Sequence, residues 1–206
     1  MATLIDAGFS ASPTTLYQLI IGINRNSAQL LVFDPEKNRF VAFSQKDFQY
    51  LGGNHVYFGL LKSFLKENEL FVHDYKDTLV LWETQRSTLV PDALFENSEP
   101  ETYFYFNQVN ENDEKICIDR LRTAEVANVF AIPSNFDNDL SLKSCRIRHH
   151  ASVFIESCMI SSKHHMMQKQ VFVDVHSSFF DMLVSENGRL LFYNSFAYKT
   201  AEDFIY

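Results

Sequence analysis

The sequence predicts a mixed α/β fold assembled around two β-meanders, and two observations carry that expectation. Residues 20–44 and 171–194 show the same order: apolar strand, polar break, strand, polar turn, and a third strand opened by Arg39 or Arg189. After each copy the pattern changes to that of a helix, from Asn54 onward in the first and from Thr200 in the second.

Composition agrees with a folded chain. Its 206 residues are 46% hydrophobic and 21% charged with only 6 Gly and 5 Pro, enough to bury one large core or two small ones. The 20 Phe exceed what one compact core needs, so some rings are expected to face a partner. A formal net charge of -8 opposes attraction to nucleic acid or to an anionic membrane. Cys117, Cys145 and Cys158 lie far apart without a CxxC pair, which argues against a disulfide framework. The first 15 residues lack the pattern of a signal peptide, and no apolar run nears the length of a membrane helix, so a cytoplasmic location is expected.

The elements follow in order. A polar leader ends near Thr15, residues 16–23 read as a buried strand, 24–27 as a polar turn and 28–33 as the next strand. Asp34, Pro35 and Asn38 supply turn chemistry before the third strand at 39–44. Tyr57, Leu60, Leu61, Phe64 and Leu65 recur at helical spacing behind an N-cap at Asn54. Residues 70–73, 78–83 and 88–91 are expected strands, 92–96 one helical turn, and 97–101 a boundary, dividing the chain into 1–98 and 99–206.

In the second half, 103–106 and 115–119 read as a hairpin, 126–132 as a strand ended by Pro133, and Ser134 as the cap of a helix to 142. A short strand at 145–148 and an apolar helix at 151–160 precede the second meander. Thr200 and Asp203 then have capping-box spacing.

The succession strand, Pro133, helix, strand, helix, VFVDVHSSFFDMLV, hairpin and KTAEDF resembles the actin, sugar-kinase and heat-shock-chaperone superfamily of ribonuclease-H-like folds. More narrowly, TLVPDALF, CRIRHHASVFI and FYNSFAYKTAEDFIY resemble a bacterial family with an actin-like ATPase fold and no established activity. The resemblance implies two ribonuclease-H-like halves, with a phosphate loop at Asp174, Val175 and His176. It also implies a truncated second half, because the superfamily's adenosine pocket is built from helices beyond the second meander and this chain stops at Tyr206.

Phosphate loops need glycine, because the backbone must approach the oxygens and aim N–H groups at them. In the second copy Asp174 is kept, but His176 stands in the glycine position, with Ser177, Ser178 and the bulky Phe179 after it. In the first copy the acidic position falls on Gly22 or Ile23, depending on register, and the glycine position near Asn24. Both loops are therefore expected to be degenerate, and no catalytic residue, nucleotide or other cofactor is assigned.

Asp174 and His176 project to one face of a strand, as a polar patch left at an old ligand site would. Asp181 has the same status. His149, His150, His164 and His165 lack the spacing of a zinc site and read as solvated or capping side chains, so no metal is expected. Tyr103, Phe104, Tyr105 and Phe106 form the candidate interface. The expected function is a non-catalytic scaffold that binds an unidentified protein; the alternative is a nucleotide-binding ATPase or kinase relative that uses Asp174.

Overall fold

A computed structural model describes residues 2–10, 12–48, 54–136, 140, 145–163, 168–200 and 202–203, without the side chains of 54 and 55. The chain divides into two compact units, Met1–Thr84 with Ile132–Arg148, and Gln85–Ala131 with His149–Tyr206.

The first unit is built on a six-stranded sheet in the spatial order β1 (Ala2–Ile5), β4 (Arg39–Asp47), β3 (Ser27–Asp34), β2 (Gln18–Ile23), β5 (Asp77–Trp82) and β9 (Arg146–His149). Strands β2 (Gln18–Ile23), β3 (Ser27–Asp34) and β4 (Arg39–Asp47) form the expected antiparallel meander. Helix α1 (Asn54–Glu67) then carries the chain to β5 (Asp77–Trp82), which pairs in parallel with β2. Buried Tyr57, Phe58, Leu61, Phe64 and Leu65 make one helical face, and Phe48 meets the Tyr57 and Phe64 rings edge-on. Phe58 takes the place expected for Leu60, which is exposed.

Two strand expectations in this unit need correction. The presumed leader contains β1 (Ala2–Ile5), paired with the edge of β4; all four of its residues are exposed, so no alternation marks it. Residues 69–73 turn instead of extending, because Asn68 Oδ1 accepts from Leu70 N–H and the Asn68 carbonyl accepts from Phe71 N–H.

The second unit holds two three-stranded sheets. One orders β6 (Ser87–Pro91), β8 (Val126–Pro133) and β7 (Glu114–Leu121) as β6-β8-β7, the last two residues of β8 belonging to the first unit. The other is the meander β10 (Lys169–Val175), β11 (Phe179–Glu186) and β12 (Arg189–Ala197). Residues 103–106 are not a strand: they lie in α2 (Pro100–Asn107), with Pro100 in the first turn, where its missing N–H costs nothing. Strand β7 neighbours β8 instead.

Strand β9 (Arg146–His149) belongs to the first unit's sheet, and α3 (His150–Ser162) follows it at once. Ile155, Cys158 and Met159 of α3 pack with Leu121 and Leu183. Most of the helix expected at 134–142 lies outside the described residues. The capping spacing of Thr200 and Asp203 is realised: Asp203 Oδ2 accepts from Thr200 N–H at 3.0 Å, and Thr200 Oγ1 accepts from Asp203 N–H at 3.3 Å.

Candidate functional site

The two meanders share one register irregularity. A β-bulge interrupts β3/β4 after Val32 and β11/β12 after Val184, and both third strands run nine residues from an arginine. Ten residues before each bulge stand Gly22 and Asp174, which pair with Gln29 and Asp181. Gly22 is therefore the counterpart of Asp174, and Asn24 of His176. The turns agree, since Asn24 N–H bonds the Ser27 carbonyl at 3.1 Å and His176 N–H bonds the Phe179 carbonyl at 2.9 Å.

In the first copy the turn satisfies its own donors. Asn24 Oδ1 accepts from Asn26 N–H at 2.8 Å, Ser27 N–H at 2.7 Å and Ser27 Oγ at 3.1 Å. Two backbone N–H groups that a phosphate would need are thus already bonded to a side-chain carbonyl. Asn24 Nδ2 donates to Glu83, and Tyr57 Oη donates to the Asn24 carbonyl, so the residue is held from three sides. Gly22 serves packing: a Cβ there would meet Gln29 Cγ at 2.7 Å.

The second copy builds a compact polar cluster. Asp181, fully buried on β11, accepts at Oδ1 from Tyr193 Oη at 2.9 Å, while His150 Nε2 and His176 Nε2 lie 2.8 and 3.2 Å from its Oδ2. His150 comes from the first turn of α3, His176 from the β10/β11 turn and Tyr193 from β12. The Asp174 carboxylate, half exposed, stands 3.5 Å from His176 Nε2.

Burial alone would raise the Asp181 pKa, but the bonds from His150 and His176 outweigh it and hold the carboxyl well below the usual carboxylate range. Burial, then the adjoining Asp181 charge, pushes the Tyr193 phenol far above its ordinary value. Tyr193 is therefore a fixed donor to a fixed carboxylate. Phe179, buried beside the turn, stacks its ring on His176 and meets His150 at 5.5 Å.

Of the residues singled out in sequence, Asp174 and His176 come together, and Ser177 and Ser178 lie exposed on the turn. Gly22, near the end of β2, and Asn24, in the turn after it, take the equivalent places in the other unit. His149 and His150 are neither solvated nor equivalent. His149 is buried and caps α3 by accepting Ala151 N–H at Nδ1, whereas His150 turns to Asp181; His164 and His165 lie outside the described residues. Tyr193 was missed, since nothing in its local sequence distinguishes it from other strand aromatics. The four-residue aromatic patch is split by the helix: Phe104 is buried, Tyr103 bonds the Leu94 carbonyl, and Phe106 projects outward.

Solved structures share this fold: a Bacteroides thetaiotaomicron protein with an actin-like ATPase fold and unknown function is 22% identical, with a TM-score of 0.85 over 96% of this chain and 76% of that one. A chain of the PilM-PilN type IV pilus biogenesis complex is 10% identical, with a TM-score of 0.59 over 90% of this chain and 62% of that one. The fold is thus that of the actin-like ATPases, and identities this low carry the fold alone. No curated protein matches the sequence. A family model described as a protein of unknown function, DUF3822, matches residues 6–206.

Proposed function

Because the chain belongs to the DUF3822 family and has an actin-like ATPase fold, we propose that it is a non-catalytic scaffold that binds a protein partner. The observation that carries this reading is the state of the two turns. Asn24 consumes the donors of one, and the stacked His176 and Phe179 rings fill the other. A triphosphate requires open backbone donors and room for its oxygens, and these turns favour neither.

The surface supports protein binding. Val171, Val173 and Val175 are exposed on one face of β10, and Phe192, also exposed, continues that face through the Val171, Val184 and Phe192 register. A contiguous apolar face of this kind marks an interaction site more often than a solvated surface. That a PilM chain of similar fold is found in a complex with PilN is consistent with this use of the scaffold.

Calorimetry of the full chain with millimolar ATP and Mg²⁺ tests the first part, and silence is the expected result. Heat that disappears in Asp174→Asn would overturn it in favour of a nucleotide-binding relative. For the second part, Val173→Asp should lose a partner that the wild type retains from native lysate; equal recovery by both proteins counts against the β10 face.

A further inference from the structure

We propose that His150, His176 and Asp181 form a binding site for one divalent transition-metal ion of the zinc class. Their ligand atoms lie within 4.8 Å of one another, and they reach the same point from a helix start, a turn and a strand. An ion with bonds of about 2.0–2.1 Å in tetrahedral geometry separates its ligand atoms by about 3.3 Å. The separations from Asp181 Oδ2 to the two Nε2 atoms, 2.8 and 3.2 Å, are near that edge, and the remaining separation, between the two imidazoles, is within 4.8 Å.

Charge points the same way. Asp181 is fully buried, and its bonded partners among the described residues are two imidazoles and a phenol, with no lysine or arginine. A buried carboxylate needs a compensating cation, supplied here by a protonated imidazole or by a metal ion. The ion serves better than one proton, because it uses both Nε2 lone pairs and neutralises Asp174 as well, 3.5 Å from His176 Nε2.

The donor set is selective. Two imidazoles and a carboxylate suit zinc, cobalt or nickel, whereas magnesium prefers oxygen ligands throughout. Tyr193 Oη holds the other carboxylate oxygen at 2.9 Å, which fixes Oδ2 toward the histidines. The site lies nearest solvent at the β10/β11 turn, where Ser177 and Ser178 are exposed beside His176. None of this depends on the scaffold reading, since either a scaffold or an enzyme can hold such an ion.

The test uses the full chain, stripped with chelator and titrated with Zn²⁺ against a competing dye. One zinc per chain at micromolar or tighter affinity is expected, with no competition from millimolar Mg²⁺. His176→Gln keeps the turn's polarity but removes a ligand and should weaken zinc binding on the order of a hundredfold. His73→Gln, in the other unit, should bind as the wild type does. No saturable zinc binding, or equal binding by His176→Gln, overturns the proposal. Should His176→Gln fail to fold, the cobalt-loaded wild type decides: paramagnetically shifted His150 and His176 imidazole signals support the site, and unshifted ones overturn it.

Discussion

The His176 ring lies stacked on the Phe179 ring, 4.2 Å between centroids and 16° between planes. Phe179 is 6% exposed, so the stack is a packed part of the second unit and no surface ornament. Replacing a buried Phe by Ala costs about 3–5 kcal/mol, through lost transfer energy and the cavity left behind. Phe179→Ala should accordingly lower the urea midpoint strongly. It should also remain silent toward ATP and Mg²⁺ by calorimetry, because removing the ring supplies no glycine donors. A variant that gains ATP binding would show that the ring alone stands in the way.

Tyr193 Oη donates to a carboxylate from which water is excluded. Tyr193→Phe removes that donor and almost nothing else, leaving Asp181 Oδ1 without its partner. The expected loss is about 1–3 kcal/mol, read from urea unfolding at neutral pH. An unchanged midpoint would mean that water reaches Asp181 and that the carboxylate is less enclosed than its packing indicates.

The first turn should respond to Asn24 in a graded way. Asn24→Ala deprives Asn26 N–H and Ser27 N–H of their acceptor, at a cost of about 1–2 kcal/mol. Asn24→Asp keeps that acceptor but loses the Nδ2 bond to Glu83 and sets two carboxylates side by side, so its stability should depend on pH and salt. If the two variants were equally unstable at low pH, the acceptor would not be what holds the turn.

The meanders were legible because β-pairing writes itself into sequence. Alternation sets the faces, and Asn187-Gly188 demands a two-residue turn, which the structure makes with φ of 54° and 71°. The register was not legible: the bulges at Val32 and Val184 decide that Gly22, and not Ile23, answers to Asp174. Residues 103–106 misled because alternating rings satisfy strand spacing while the helix start is set upstream by Pro100. The Asp181 cluster joins residues from α3, β11 and β12 and the β10/β11 turn, and no local spacing records such a meeting.

Burial raises the Tyr75 phenol to about 12, and its Oη donates to the Leu70 carbonyl at 2.6 Å. The fold favours the neutral form, whereas an unfolded tyrosine ionises near pH 10. Its contribution is therefore fully present below about pH 10 and is lost as pH rises toward about 12. Urea midpoints measured from pH 9 to 11.5 should fall across that window, less steeply in Tyr75→Phe. Equal slopes would place Tyr75 in water.

Gly22 carries the sharpest packing prediction. It is buried in β2 between β3 and β5, and a Cβ would stand 2.7 Å from Gln29 Cγ and 2.8 Å from its Nε2, both far inside normal contact. Gly22→Ala should destabilise by about 1–3 kcal/mol, as overpacking does. Gln29→Ala removes the obstructing atoms, so the double variant should recover most of that loss, a coupling that a double-mutant cycle measures directly. A phosphate-binding role for Gly22 gives a different result: the alanine would cost ligand affinity with little change in stability, and shortening Gln29 would rescue nothing.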